Sequence, residues 1–134
     1  MSNLGLEEAR ETSKRETLKK VLIVEDDPDT QEAFRTAIGD AGFDVETVKR
    51  RREALDYLRA GGRADAILLD LMMPRMDGWQ FRRRQLADTA LAQIPVIVVS
   101  AASGRNSALG FGAAVFLGKP VHFEDLLSAL SALT

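Results

Sequence analysis

The amino-acid sequence predicts an α/β fold, a doubly wound parallel sheet in which five strands alternate with helices. Short apolar runs of strand length recur along the chain, and segments with a helical spacing of apolar residues lie between them. Most runs are apolar on both faces, which is typical of parallel strands that helices cover from both sides. Repeated β-α units imply right-handed crossovers and place any ligand outside the carboxyl ends of the strands.

The strands are predicted where bulky aliphatic residues cluster. The four clearest runs are Val21–Val24, Ala66–Leu69, Pro95–Val99 and Ala113–Leu117. A fifth segment, Phe43–Val48, alternates between apolar and polar residues, which is typical of an edge strand.

Helix signals fill the intervals between these runs. Asp27 followed by Pro28 indicates an N-cap and a first helical turn, and Gly42 predicts the end of this first helix. The remaining helices are predicted around Ala54–Leu58 with an end at Gly61, from near Asp77 to about Ala90, near Ser103–Gly112, and over about His122–Leu133.

Length, charge and composition exclude several classes of protein. The 134 residues suffice for one domain with one hydrophobic core, and no linker points to a second domain. The net charge of −2 predicts no direct binding of nucleic acid, and the basic runs Lys49–Arg52 and Arg82–Arg84 are interpreted as solvated helix faces. The absence of cysteine excludes disulfides and thiolate chemistry. Apolar runs are far shorter than the ~20 residues of a membrane span, so we expect a cytoplasmic protein without membrane insertion.

Charged and hydroxyl side chains follow the predicted strands at one edge of the sheet. Glu25 and Asp26 follow the first strand, Asp70 the third, Ser100 the fourth and Lys119 the fifth. Clustered carboxylates raise one another's pKa, and Mg²⁺ relieves the repulsion because it binds one or two carboxylates with carbonyls, waters and phosphate oxygens. An aspartate can act as a nucleophile, while a lysine and a serine can bind a phosphoryl oxygen. The residues therefore predict metal-assisted phosphoryl transfer to a carboxylate.

Four strings, in order, resemble the signatures of response-regulator receiver domains. They are VLIVEDDPDT (21–30), LLDLMMPRMDGW (68–79), VIVVSA (96–101) and FLGKP (116–120). The resemblance covers roughly Lys19 to Leu133 and implies a flavodoxin-like (βα)5 sheet with strand order 2-1-3-4-5. We therefore expect a receiver domain over residues 19–134, preceded by a charged extension at residues 1–18 that is disordered or helical.

The resemblance implies a metal-dependent acceptor site. Asp70 matches the phospho-accepting aspartate of the family. Glu25, Asp26, Asp70 and the backbone carbonyl of Met72 match the ligands of Mg²⁺, for which Mn²⁺ can substitute.

Three further residues match the parts of a receiver that respond to phosphorylation. Ser100 matches the hydroxyl residue that moves toward the phosphate, and Lys119 matches the lysine that pairs with it. Phe116 matches the aromatic switch position, which rotates inward on activation. The resemblance also implies a cis bond between Lys119 and Pro120.

The implied function is a signalling switch that catalyses only its own phosphoryl transfer and dephosphorylation, not an enzyme in the usual sense. A histidine kinase or a histidine phosphotransfer protein would supply the phosphoryl group, as in two-component systems and phosphorelays. Because no output domain is expected, a stand-alone receiver would act through contacts with an unknown downstream protein.

Departures from the family pattern leave one alternative open. Ser100 and Lys119 are 119 − 100 = 19 positions apart, a few fewer than is usual in receivers, which shortens the fourth helix. A phosphorylation-independent interaction module is therefore the alternative. Two other classes are disfavoured, since a flavodoxin needs a neutral phosphate loop where this chain has acids, and an aspartate-nucleophile phosphatase needs a second Asp at the position of Met72.

Overall fold

The sheet has the predicted number of strands in the predicted order. The computed structural model describes residues 18–70, 83–100 and 113–134. Its strands are β1 (Lys20–Val24), β2 (Asp44–Val48), β3 (Ala66–Asp70), β4 (Val96–Ser100) and β5 (Val115–Gly118). All neighbouring strands pair in parallel, in the order β2-β1-β3-β4-β5. This arrangement confirms the predicted flavodoxin-like fold, with the alternating segment at the edge.

Helices connect the strands where the periodicity predicts them. They are α1 (Pro28–Asp40), α2 (Arg51–Arg59), a helical segment at 83–87, and the C-terminal helix (Phe123–Leu133). Asp27 is the N-cap of α1, and its Oδ2 accepts a hydrogen bond of 2.9 Å from the backbone N–H of Thr30. Soon after α1 and α2 end, Gly42 and Gly61 adopt φ angles of 99° and 93°, a left-handed conformation that favours glycine.

The third predicted helix ends earlier than expected. The helical residues stop at 87, and residues 89–93 form a turn instead of continuing the helix to Ala90. Gln85 explains the turn, because its fully buried Nε2 donates hydrogen bonds to the carbonyls of Leu91 (2.9 Å) and Ile94 (3.1 Å). The predicted fourth helix, Ser103–Gly112, and residues 1–17 lie outside the described residues.

Helices cover both faces of the sheet, as the apolar strands predict. On one face, α1 and the C-terminal helix bury Phe34, Ile38, Leu126 and Leu130 against the strands. On the other face, α2 contributes the buried residues Ala54, Leu55 and Leu58. None of the helices in the described ranges is long and apolar enough to cross a bilayer.

The register brings the carboxyl ends of the strands to one edge of the sheet. Asp70, the last residue of β3, pairs with Val99 of β4, and Ser100 pairs with Gly118 of β5. Glu25 follows β1 directly, and its backbone N–H donates to the carbonyl of Val48 at 3.1 Å. The predicted site residues that the structure describes therefore lie at adjacent strand ends, on the same edge of the sheet.

Candidate functional site

Asp70 and Lys119 form an ion pair at the carboxyl end of the sheet. The Nζ of Lys119 lies 3.0 Å from Oδ2 of Asp70. The Asp70 side chain is 5% exposed, whereas that of Lys119 is 31% exposed. The carboxylate is thus nearly enclosed, and the ammonium faces both the carboxylate and solvent. The sequence predicted this proximity because Asp70 ends β3 and Lys119 directly follows β5, although the two residues lie 49 positions apart in the chain.

Glu25 is the second buried acid of the site, at 3% exposure. Burial, together with a hydrogen bond to Asp70 and the negative charge of Asp70, raises the pKa of Glu25 to about 8. The backbone N–H of Asp27, which donates to Oε1 at 3.1 Å, and the charge of Lys119 act in the opposite direction. Burial beside Asp70 therefore favours the protonated form of Glu25 near neutral pH, and a bound cation would favour the ionised form.

Ser100 and Lys119 are fixed relative to each other by the backbone. Ser100 is buried at the end of β4, and its carbonyl accepts a hydrogen bond of 2.9 Å from the N–H of Lys119. The bond from Lys119 to Pro120 is cis, as the sequence resemblance implied. A hydroxyl and an ammonium group thus stand on adjacent strand ends, beside the buried acids.

Comparison with known proteins identifies the family that uses this arrangement. The sequence-family model of the response regulator receiver domain matches residues 21–131. The chain belongs to the response-regulator receiver family. Such domains are signalling switches of two-component systems.

The receiver resembles curated response regulators over about half of their length. It is 39% identical over 117 residues to the response regulator MprA of Mycolicibacterium vanbaalenii, a match that covers 85% of this chain and 49% of MprA. MprA of Mycobacterium avium is 38% identical over 117 residues, again with 85% of this chain and 50% of the relative covered. The chain therefore spans about half the length of the curated relatives it matches.

Solved receiver structures share the fold over nearly their whole length. The receiver domain of the sensor histidine kinase PA1611 from Pseudomonas aeruginosa has a TM-score of 0.78 and 27% identity, with 87% of this chain and 98% of that chain covered. That structure holds a magnesium ion coordinated in its active site cleft. The Vibrio cholerae chemotaxis protein CheY4 has a TM-score of 0.76 and 28% identity, with 88% of this chain and 100% of that chain covered.

The acids of this receiver have the donor chemistry that Mg²⁺ requires. Oε2 of Glu25 is buried and finds no hydrogen-bond donor in the described part of the chain. A divalent cation would satisfy this oxygen and favour the ionised form of Glu25. Asp26 lies exposed in the adjoining loop, and Met72 lies outside the described residues. Three acids do not form a ready-made cluster within the described ranges, but Mg²⁺ commonly takes only one or two carboxylates and keeps several waters.

Gln31 holds the end of β1 in place, a role that the sequence analysis missed. Its Nε2 donates to the carbonyl of Glu25 at 3.0 Å and to the carbonyl of Val48 at 3.3 Å. The amide thereby joins the ends of β1 and β2 and fixes the backbone from which the Glu25 side chain projects. A polar residue within the first turns of a helix that follows a strand end is a weak sequence signal for such a contact.

Arg51 corrects the interpretation of Lys49–Arg52 as a solvated helix face. Arg51 is only 5% exposed, and its Nη2 donates to the backbone carbonyl of Asp70 at 3.1 Å. The sequence did contain a signal: Arg51 stands three, four and seven positions before the apolar residues Ala54, Leu55 and Leu58, which places it on the buried stripe of α2.

Phe116, the predicted switch residue, lies in β5 beside the site. The ring is partly buried and packs against the apolar cluster on the α2 face of the sheet. Phe116 pairs with Val98 of β4, and each of these residues lies two positions before the end of its strand. Rotation of the ring on phosphorylation stays a prediction.

Proposed function

We propose that this receiver accepts a phosphoryl group on Asp70 in an Mg²⁺-dependent reaction. The observation that carries the proposal is the buried Asp70 carboxylate, paired at 3.0 Å with Lys119 and adjoining the second buried acid, Glu25. A nucleophilic carboxylate, a cation beside it and a second acid for the metal are the parts that phosphoryl transfer to aspartate needs.

The donor would be the phosphohistidine of a histidine kinase or of a histidine phosphotransfer protein. An oxygen of Asp70 attacks the phosphorus, the N–P bond breaks, and the histidine nitrogen keeps the electron pair and takes up a proton. Family membership supports a kinase partner, because the similar domain of PA1611 is part of a sensor histidine kinase.

Four residues of this chain would hold the metal. These are Glu25, Asp26, Asp70 and the backbone carbonyl of Met72. When bound, Mg²⁺ neutralises the charge that accumulates on the phosphoryl oxygens, and Mn²⁺ is expected to substitute for it.

The remaining site residues bind the transferred group. Lys119 moves its ion pair from the free carboxylate to a phosphoryl oxygen, and the hydroxyl of Ser100 donates a hydrogen bond to another phosphoryl oxygen. Since the backbone joins these two residues, a shift of Ser100 toward the phosphate also bears on β5, where Phe116 lies. A surface change around Ser100 and Phe116 is the signal that an unidentified downstream protein would read.

We further propose that the receiver domain comprises residues 19–134 and that residues 1–18 form an extension to it. The family match at 21–131 supports the first boundary. Activity in the cytoplasm and action through protein contacts without an attached output domain stay predictions.

Intact-protein mass spectrometry tests the proposal directly. The wild type and Asp70→Asn are incubated with acetyl phosphate and Mg²⁺, and EDTA replaces the metal in a control. We expect the wild type alone to gain the mass of one phosphoryl group, and only with the metal. A wild type that gains no such mass, and shows no stabilisation by beryllofluoride, would favour the phosphorylation-independent interaction module.

A further inference from the structure

The guanidinium of Arg51 lies at the site, yet the proposed phosphoryl transfer gives it no role. Its Nη2 is 3.1 Å from the carbonyl oxygen of Asp70, 19 residues later in the chain. The two residues belong to different β-α units, and β1 lies between β2 and β3 in the sheet. Arg51 therefore reaches past one strand to contact the main chain of the acceptor residue.

The backbone that carries Arg51 is held on both sides. Before it, the carbonyl of Val48 accepts hydrogen bonds from the N–H of Glu25 and from Nε2 of Gln31. After it, the apolar residues of α2 pack in the same cluster as Leu69, the neighbour of Asp70. Because its backbone is fixed, the Arg51 side chain can hold the atom that it binds in a defined position.

The stability of α2 does not account for a buried arginine at this point. A cation in the first turn opposes the helix dipole, and removal of a charged group from water costs free energy. A charge-assisted hydrogen bond from the guanidinium offsets part of that cost and restricts where its acceptor can lie. The acceptor here is the carbonyl of the residue that we propose as nucleophile.

We propose that Arg51 is a positioning residue that fixes the backbone of Asp70 and so orients its carboxylate between Glu25 and Lys119. Phosphoryl transfer needs the attacking oxygen in line with the leaving group, and a small misplacement of reacting atoms is costly. The inference rests on the proposed function, because it assigns Arg51 a task in the reaction of Asp70.

The test compares Arg51→Met with Arg52→Met. Arg52 is the next residue of the same helix and is exposed, so it is a matched control for the loss of one guanidinium. The rate constant of phosphorylation by acetyl phosphate is measured at saturating Mg²⁺, together with the ¹³C shift of the Asp70 carbonyl in labelled protein. We expect Arg51→Met to move the carbonyl shift and to slow phosphorylation about tenfold, and Arg52→Met to do neither.

The outcomes separate this inference from the proposed function. A wild type that takes up no phosphoryl group overturns the proposed function and this inference with it. A phosphorylated wild type with an unslowed Arg51→Met overturns the inference alone, even if the carbonyl shift moves. If Arg51→Met does not fold, Arg51→Lys decides: it keeps the charge and loses the planar fork. We then expect phosphorylation to slow by about two- to fivefold against Arg52→Lys, and equal rates overturn the inference.

Discussion

The ends of β1 and β3 each present a buried acid, and the two acids are held differently. The carbonyl of Glu25 accepts a hydrogen bond from Gln31, which lies in the helix that directly follows the same strand. The carbonyl of Asp70 accepts one from Arg51, which comes from a different β-α unit. One contact is neutral and local in sequence, whereas the other is charged and joins two units.

This difference matters for a switch. Gln31, six positions later in the same β-α unit, holds Glu25, and both residues also bond to the carbonyl of Val48 at the end of β2. The position of Asp70 depends in addition on how α2 packs against the sheet. The Glu25 side of the site is therefore held by the adjacent ends of β1 and β2, whereas the Asp70 side is also tied to α2 from across β1, so a change at Asp70 would bear on the packing of α2.

Loss of Lys119 removes the ammonium group that lies 3.0 Å from the Asp70 carboxylate. We expect Lys119→Met to slow phosphorylation by about 100-fold, because the charge that develops in transfer then lacks its cation. Lys119→Arg retains the charge and should lose less. Rates come from the increase of the phosphorylated mass with time, and a Lys119→Met rate within threefold of wild type contradicts the assignment.

The pH dependence of stability tests whether burial beside Asp70 keeps a proton on Glu25. Its pKa is raised in the folded protein to about 8 from an unfolded value near 4.5, so its contribution to stability is present below pH 4.5 and is lost as pH rises through 8. Without Mg²⁺, we expect the free energy of unfolding to fall by on the order of a few kcal/mol between pH 5 and pH 9 because of this acid. The conversion is roughly 1.4 kcal/mol per pKa unit.

The measurement is urea unfolding in EDTA across that pH range, with Glu25→Gln as the comparison. The variant cannot ionise at this position, so its stability should fall less with pH than that of the wild type. Added Mg²⁺ should also flatten the wild-type profile, because the cation favours the ionised carboxyl. Parallel pH profiles for the wild type and Glu25→Gln would show that the proton is held elsewhere.

Arg51 should matter more for stability than its neighbour does. Arg51→Met leaves the buried carbonyl of Asp70 without this donor, which costs about 1–3 kcal/mol of unfolding free energy. Arg52→Met, on the exposed side of α2, should change it by less than about 0.5 kcal/mol. Urea midpoints at pH 7 give both values, and equal losses would mean that the buried contact contributes nothing to stability.

Gln31 should give the smallest of these effects. Gln31→Met removes a neutral donor from a partly buried site, at a cost of about 1 kcal/mol. Because Glu25 would hold its position less well, Mg²⁺ affinity should weaken by a few-fold, roughly the same free energy. Calorimetric titration with Mg²⁺ measures this, and Gln93→Met, at an exposed glutamine, is the control. If both variants bind Mg²⁺ alike, Gln31 has no effect on the site.

Most of the fold could be predicted from local patterns. Strand-length apolar runs, the Asp27 cap and the glycines after α1 and α2 act within a few residues, so their structural consequence can be derived without tertiary contacts. The early end of the third helix could not be predicted in this way. It depends on the buried Gln85 amide, whose partners are carbonyls six and nine residues away.

The site could be predicted only to the level of strand ends. Parallel topology alone brings Asp70 and Lys119 together, and the clustering of acids predicts the direction in which the pKa of Glu25 shifts, although burial is the largest cause of that shift. Asp27 behaves in the opposite way: hydrogen bonds from the side chain and backbone of Thr30 lower its pKa, because it is an exposed helix cap. Arg51 was misjudged because a run of like charges indicates solvent exposure, and its burial depends on the packing of α2 against the sheet.

The most direct test of the account locates the phosphoryl group on the chain. After incubation with acetyl phosphate and Mg²⁺, borohydride reduces an aspartyl phosphate to homoserine, and tandem mass spectrometry identifies the modified residue. The account predicts homoserine at position 70 in the sample with Mg²⁺ and unmodified Asp70 in the sample with EDTA. Modification at another acid, or none in a folded protein that binds Mg²⁺, would contradict it.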